Sequence, residues 1–288
     1  MNASVFFGTA GWSYADWKGI VYPRGLADRD QLAFAARFLD CLEVNVSFYR
    51  IPAAKMVQGW LDKTAEKPVP FLVKLWQGFT HRGPGSFGED EVSEFRAGIE
   101  PLLDAERCPG LLAQFPYSFR ATHENARHVA DLRRRFADTP LVVEVRHRSW
   151  WREDVISFLK ERGCSFCNID QPQGRNSLAP TDAVTAPLGY VRLHGRNSAA
   201  WFRRESGRDE RYDYLYGDEE LDEWIERIET MRGHAEAVFV IANNHFEGQA
   251  FANALELKVL AGGRDVVAPE PLVERYPRLL ARGIRGTP

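Results

Sequence analysis

Short apolar runs recur along this chain, and most of them end in one or two polar residues. Eight of these runs have the length of a β-strand, and they cover residues 5–7, 42–46, 71–75, 111–115, 141–145, 165–169, 190–193 and 238–242. Between most of them, apolar residues recur at the spacing of a helix, as at Leu221, Trp224 and Ile228. The pattern therefore predicts strands and helices in alternation.

The alternation favours one particular α/β fold. Near-continuous apolar strands joined by helices are typical of a parallel sheet that is covered on both faces. Eight such units in 288 residues fit a closed (β/α)8 barrel, a fold of about 250 residues. An open, doubly wound sheet is the alternative, but the segment after the first run lacks a glycine-rich dinucleotide fingerprint. We predict a single TIM-like barrel over residues 1–263 and a short C-terminal extension over 264–288, packed on the barrel or trailing from it.

The composition agrees with one globular domain, because 44% apolar residues can fill a large core. No stretch approaches the roughly 20 apolar residues that span a membrane. The N-terminus has no basic segment of the kind that begins a signal peptide, so we expect a cytoplasmic protein without a membrane partner. Four cysteines in a chain of this length do not predict a disulfide framework.

The charge argues against a general affinity for nucleic acid, since the net charge is -3. Segment 195–217 is the local exception, because arginines and aromatic residues interleave there. It holds the arginines Arg196, Arg203, Arg204, Arg208 and Arg211. Four acidic residues lie among them, so we favour a self-paired loop over a pocket and disfavour a nucleic-acid partner without excluding it. The oligomeric state stays open.

Polar residues stand where the predicted strands end. Residues i and i+2 of a strand face the same side, and active sites of barrels form at the C-terminal ends of the strands. These positions predict one pocket, although a salt-bridge network that merely closes the barrel is the structural alternative. The predicted ligand-binding residues are Glu43, Asn45, Gln114, Arg146, Asp170, Arg192, Asn243 and Asn244, with Trp12 and Tyr49 from the loops.

Three further polar residues at the strand ends are candidate catalytic groups. Glu144 suits a general acid or base if burial raises its pKa, whereas Arg146 two residues on would lower it. His194 exchanges protons near neutral pH without special tuning. Lys74 either binds an anion as an ammonium, which neighbouring carboxylates favour, or forms a Schiff base with a carbonyl compound as a neutral amine.

This chemistry favours an enzyme, namely a hydrolase, lyase or isomerase acting on a small polar or anionic ligand. A sugar, a sugar phosphate or a nucleotide fragment would suit the pocket. One alternative is a metal-dependent nuclease or phosphodiesterase, with ligands drawn from Glu43, Glu144, Asp170, His194 and His245. Cations in the same pocket would compete with a metal, so we predict no cofactor and keep a divalent metal as the alternative. A barrel that binds a ligand without converting it is the third function.

Several short motifs follow one another along the chain. They are Gly8-Thr-Ala-Gly-Trp-Ser, Glu43-Val-Asn45, Phe71-Leu-Val-Lys74 with Thr80-His81, Gln114-Phe-Pro116, Glu144-Val-Arg-His147, Arg192-Leu-His-Gly195 and Asn243-Asn244. In combination they resemble the YecE-like family, catalogued as domain of unknown function 72, from the first strand to about residue 261. The resemblance implies a TIM-barrel-like fold and cytoplasmic, mainly prokaryotic proteins, and it implies no established reaction. Ala10 and Val46 stand where this family more often has hydroxyl residues, a difference that would alter ligand binding if those hydroxyls contact the ligand.

Overall fold

Eight parallel strands close into a barrel in the computed structural model of the chain, which describes residues 3–203, 205 and 207–287. Each strand pairs with the next one in sequence, and the eighth pairs with the first. The strands are β1 (Ser4–Ala10), β2 (Cys41–Val44), β3 (Phe71–Lys74), β4 (Leu111–Gln114), β5 (Leu141–Glu144), β6 (Cys164–Asp170), β7 (Leu188–Leu193) and β8 (Ala237–Ala242). The predicted TIM-like barrel is confirmed, and the open sheet is wrong.

Helices lie outside the barrel and in the loops at its ends. They are α1 (Gln31–Ala36), α2 (Val46–Tyr49), α3 (Ala54–Lys63), α4 (Gln77–Thr80), α5 (Glu89–Asp104), α6 (His123–Arg135), α7 (Glu153–Glu161), α8 (Ser198–Trp201), α9 (Arg208–Arg211), α10 (Asp218–Arg232), α11 (Gln249–Leu260), α12 (Glu270–Arg275) and α13 (Arg278–Ala281). Short 3-10 turns cover Ala15–Trp17, Asp28–Asp30, Arg148–Trp150 and Phe246–Gly248. No helix of the described ranges is both long and apolar enough to cross a membrane.

Helix α10 shows how the helical pattern produces packing. Its apolar positions recur every three or four residues, and Leu221, Trp224 and Ile228 are completely buried. The Glu220 side chain accepts a hydrogen bond of 2.9 Å from the backbone N–H of Gly217, which satisfies one of the free donors at the start of the helix. The amphipathic spacing thus covers the outer faces of β7 and β8.

One connection departs from the predicted alternation, because residues 171–187 between β6 and β7 form no helix. An extended segment covers the strand instead. Buried Asn168 of β6 accepts hydrogen bonds from the Thr181 hydroxyl at 2.7 Å and from the backbone N–H of Ala183 at 2.8 Å. Together with Thr185, which bonds to the backbone of Phe166 and Cys164, this amide holds the segment on the strand that a helix would otherwise cover.

The residues after the last barrel helix pack back onto the barrel. Strands β9 (Val267–Pro269) and β10 (Arg285–Thr287) pair in parallel, and Leu279 and Ile284 are completely buried. The carboxylate of Glu256 in α11 accepts hydrogen bonds from Arg278 Nε at 2.7 Å and Arg282 Nε at 3.0 Å. We call residues 264–287 the C-terminal arm.

Candidate functional site

A cavity of about 380 Å³ opens at the C-terminal ends of the barrel strands, a size that suits a small molecule. Its lining residues are Gly11, Trp12, Ser13, Tyr14, Asn45, Val46, Tyr49, Lys74, Gln114, Arg146, Arg192, Tyr212, Asn243 and His245. Eight residues of the predicted site are among them. They are Trp12, Asn45, Tyr49, Lys74, Gln114, Arg146, Arg192 and Asn243.

The floor of the cavity is a buried ion cluster centred on Arg192. One guanidinium nitrogen, Nη2, donates to Glu43 Oε1 at 2.7 Å, and Nη1 donates to Glu144 Oε2. The Tyr190 hydroxyl donates to the other oxygen of Glu43 at 2.8 Å. Alternation along β7 turns Tyr190 and Arg192 inward together. The Nε atom of Arg192 is buried and has no hydrogen-bond partner among the described residues.

Glu144 lies behind the lining residues and is completely buried. Arg146 Nε donates to its Oε1 at 3.2 Å, and His194 Nε2 lies 3.3 Å from the same oxygen. Burial alone would raise the pKa of Glu144, but Arg192, His194 and Arg146 together hold that pKa well below its ordinary value. Glu144 is therefore an ionised carboxylate at neutral pH, a state that suits a hydrogen-bond acceptor and not a general acid.

His194 also lies behind the cavity wall, and its ring is completely buried. Asn243 Nδ2 lies 2.8 Å from Nδ1 of the ring. Because an amide nitrogen can only donate, Nδ1 accepts and the ring proton sits on Nε2. Burial, followed by the positive charge of Arg146, lowers the pKa of His194 to about 3. These surroundings disfavour the imidazolium and so act against the predicted proton exchange of His194 near neutral pH.

Lys74 ends β3 and faces the cavity. Its ammonium group lies 4.0 Å from the centre of the Phe48 ring. Among the described residues, no carboxylate lies within salt-bridge distance of it, since Glu43 and Glu144 are engaged by the arginines. Burial and then Arg192 lower the pKa of Lys74 to about 7, against the opposing effect of the two carboxylates. The two carboxylates thus favour the charged lysine, as predicted, but burial and Arg192 outweigh them.

The cavity walls combine amides with aromatic rings. Gln114 Nε2 donates to the Phe115 carbonyl at 3.0 Å, so the amide nitrogen of this side chain is already hydrogen-bonded within the protein. Tyr14 stacks on His245 with ring centres 4.4 Å apart, and Tyr212 lies 5.2 Å from the same imidazole. Tyr49 stands at the rim with 65% of its surface exposed. Sequence reasoning missed Tyr14 and Tyr212, although both belong to aromatic loop segments that follow strands.

Three predicted ligand-binding residues do not line the cavity, and one of them, Glu43, is completely buried in the ion cluster beneath it. Asp170 accepts hydrogen bonds from Trp224 Nε1 of α10 at 2.7 Å and from Arg196 Nε at 2.9 Å, on the outer face of β6. Asn244 donates to the Tyr214 carbonyl at 2.8 Å and to Asn253 at 2.9 Å. The prediction that Asp170 and Asn244 line the pocket is wrong. Neighbouring residues of a strand face opposite sides, and both of these side chains point away from the cavity.

The metal alternative finds no ligand set in the described part of the chain. There, no three His, Cys, Asp or Glu side chains converge in a way that could hold a metal ion. Asp170 is separated from the cavity by its own strand, and Arg192 occupies the space between Glu43 and Glu144. The two glutamates of the site therefore pair with arginines instead of forming a metal-binding set.

Among the described residues of the arginine-rich segment 195–217, Tyr212 lines the cavity. The Arg146 guanidinium lies 5.3 Å from the centre of the Trp201 ring. Arg196 pairs with Asp170 at 2.9 Å, and Arg203 pairs with Glu210 at 2.7 Å. Arg204 and the side chain of Arg208 lie outside the described residues.

Comparison with known proteins places the whole barrel in one family. The family described as "Protein of unknown function DUF72" matches residues 6–275. The UPF0759 protein YunF of Bacillus subtilis (strain 168) is 29% identical over 266 residues, which cover 88% of this chain and 93% of that protein. These matches agree with the resemblance to the YecE-like family.

Solved structures of the same family superpose on this chain. A DUF72 family protein from Thermotoga maritima is 32% identical, with a TM-score of 0.79 over 89% of this chain and 98% of that one. A second, from Enterococcus faecalis, is 26% identical, with a TM-score of 0.76 over 90% of this chain and 97% of that one.

Proposed function

This chain belongs to the DUF72 family of proteins of unknown function, and from its cavity we propose that it is an enzyme that performs acid/base chemistry on a small polar or anionic molecule. Lys74 is the reacting group. One observation carries the proposal. Lys74 is a buried basic residue that faces the cavity, and no carboxylate among the described residues lies within salt-bridge distance of it.

The protonation state of Lys74 suits proton transfer. A general acid or base works best when its pKa lies near the operating pH, and the pKa of Lys74 is lowered to about 7 by burial and by Arg192. The ammonium and the amine are then both populated at neutral pH. A group that is present in both forms can take a proton in one step and return it in the next.

The charge of the site favours an anionic or electron-rich ligand. Three basic residues, Lys74, Arg146 and Arg192, stand against the two carboxylates of Glu43 and Glu144, so the site holds an excess of one positive charge when Lys74 is protonated. Lys74 and Arg146 line the cavity, where they can donate hydrogen bonds to the oxygen atoms of an anionic ligand.

The predicted catalytic residues Glu144 and His194 take a different role in this proposal. Neither lines the cavity, and both contact the residues that do. The Glu144 carboxylate orients Arg146 and Arg192, and His194 is held by Asn243. We assign both to positioning, with Lys74 as the group that meets the ligand.

Proton exchange with solvent tests the proposal. The protein is incubated in D2O with fructose 6-phosphate or dihydroxyacetone phosphate, and deuterium at the carbon beside the carbonyl is followed by NMR. We expect incorporation that Lys74→Met reduces by about 100-fold or more. The matched control Lys55→Met, which changes an exposed lysine of α3, should leave the rate unchanged. Binding of either probe without exchange, or no binding of either, would contradict the proposal.

A further inference from the structure

We infer that Lys74 forms a Schiff base with the carbonyl carbon of a small oxo compound that also carries a carboxylate or a phosphate group. The inference deepens the proposed function and rests on it, because the same cavity and the same lysine are involved. It adds the covalent step and the substrate class. The geometry around Lys74, Phe48 and Arg146 supports it.

The backbone beneath the lysine is fixed. The Ser47 hydroxyl lies 2.6 Å from the Lys74 carbonyl and 3.0 Å from the Val44 carbonyl, so it ties the start of α2 to the ends of β2 and β3. The Phe48 ring covers one side of the amine. An amine held on a rigid strand end, with one side closed and the other open to a cavity, meets a ligand in a narrow range of directions.

The environment removes the usual obstacle to lysine nucleophilicity. A lysine in a salt bridge is held as an ammonium, whereas a lysine that is desolvated and close to other cations loses its proton more easily. Arg192 and Arg146 are such cations, and their carboxylate partners are occupied by them. Because the pKa of Lys74 is about 7, about half of its side chains are free amines at pH 7. For an exposed lysine, the free-amine fraction at this pH is below about 1%.

The covalent step balances without an oxidant or a reductant. The Lys74 nitrogen forms a bond to the carbonyl carbon as the C=O π bond breaks, and a proton then passes from the nitrogen to the oxygen through solvent to give a carbinolamine. The hydroxyl takes one proton from solvent and leaves as water, while the nitrogen lone pair forms the C=N bond of a protonated imine. Solvent reaches the cavity at its rim, where Tyr49 is exposed.

Once the protonated imine has formed, its nitrogen no longer takes the substrate proton itself, and Lys74 promotes the same proton exchange as an electron-withdrawing group. The imine withdraws electrons from the neighbouring carbon, so a proton on that carbon becomes acidic and exchanges with water. The guanidinium of Arg146, which lines the same cavity, provides donors for a carboxylate or phosphate on the substrate. Oxo acids and ketose phosphates share this chemistry.

Reductive trapping distinguishes the substrates. The protein is incubated with pyruvate, dihydroxyacetone phosphate or neutral dihydroxyacetone, and sodium borohydride is added. Hydride transfer to the imine carbon gives a stable amine, so the intact mass should rise by the mass of the probe less one oxygen atom. We expect an adduct with at least one anionic probe, less with the neutral probe, and peptide mapping to place it on Lys74. Which anionic probe reacts identifies the oxo acid or the ketose phosphate as the preferred class.

Variants and mapping make every outcome decisive. Lys74→Met should abolish the adduct and Lys55→Met should retain it, while Arg146→Met should remove the preference for the anionic probe. If Lys74→Met does not fold, mapping of the unaltered protein still decides the matter. Deuterium exchange without any adduct on Lys74 overturns the Schiff base and leaves the proposed function standing. Equal labelling by the neutral probe overturns the anionic substrate class.

Discussion

Two carboxylates, Glu144 in the barrel and Glu256 under the C-terminal arm, are both completely buried and both contact arginines, yet their surroundings differ. Glu256 binds Arg278 and Arg282, which also reach Asp218 at 2.9 and 2.6 Å. Two acids there balance two bases. The cluster around Glu144 contains one base more than it has acids, and the extra base is Lys74.

The difference separates a structural network from a candidate site. Burying a charge without a partner is unfavourable, so a cluster that only stabilises the fold should balance its charges, as the arm cluster does. The barrel cluster holds a lysine whose pKa is lowered to about 7 by burial and by Arg192. Strongly shifted groups of this kind concentrate at functional sites. The unbalanced base, and not the number of ion pairs, therefore points to function.

The largest effect should come from breaking the barrel cluster at its centre. In Arg192→Met, the carboxylates of Glu43 and Glu144 lose their shared partner inside the barrel. We expect the free energy of unfolding in urea to fall by about 3–5 kcal/mol. Arg278→Met in the arm is the matched control, because its side chain is partly exposed. Equal losses in the two variants would show that the clusters are energetically alike.

A change in the ion cluster under the C-terminal arm, formed by Glu256, Arg278, Arg282 and Asp218, should lower stability by a smaller amount and leave the cavity unaffected. In Glu256→Gln, the acceptor of Arg278 and Arg282 loses its charge but keeps an oxygen. We expect a loss of about 1–3 kcal/mol in urea unfolding and faster tryptic cleavage within the arm. Reductive labelling of Lys74 should stay at the level of the unaltered protein. Reduced labelling would mean that the two clusters are coupled.

Lys74, the base without a carboxylate partner in the described part of the chain, should also affect how the stability of the protein depends on pH. Lys74 has a pKa of about 7 in the folded chain and the ordinary higher value when unfolded, so the unfolded chain holds one more proton between these values. The unfolding free energy of the protein should therefore rise with pH above 7, by at most about 1.4 kcal/mol per pH unit from this group. Lys74→Met should lack that rise. Lys55→Met should keep it, and parallel curves for all three proteins would contradict a perturbed lysine.

The barrel fold could be predicted from the sequence, because it follows from the spacing of apolar residues and from the order of strands and helices along the chain. Eight apolar runs separated by helical spacing leave few topologies, and the polar ends of those runs mark the end of the barrel where the cavity lies. The missing helix between β6 and β7 was not accessible, since it depends on Asn168 meeting Thr181 and Ala183 after folding.

The chemistry of the cluster was less accessible, for a physical reason. Sequence shows which charges stand at strand ends, but not which pairs form across the barrel. Arg192 lies between Glu43 and Glu144, which belong to strands far apart in sequence. That pairing leaves Lys74 without a carboxylate partner among the described residues. Burial, which residue types alone do not reveal, is the main reason why the pKa values of Lys74 and His194 are lowered.

We expect the smallest effect on stability and labelling from a change at Asp170, which was predicted to face the cavity but does not. Asn168 lies 3.6 Å from Met231 of α10, and Asp170, two positions on, contacts Trp224 of the same helix, so both point away from the cavity. Arg196 also pairs with Glu220 and Glu223. Asp170→Asn should therefore cost only about 1 kcal/mol of stability and leave labelling of Lys74 intact, as judged by urea unfolding and intact mass. Lost labelling at unchanged stability would place Asp170 with the barrel cluster after all, because only a contact with the cavity could produce that combination.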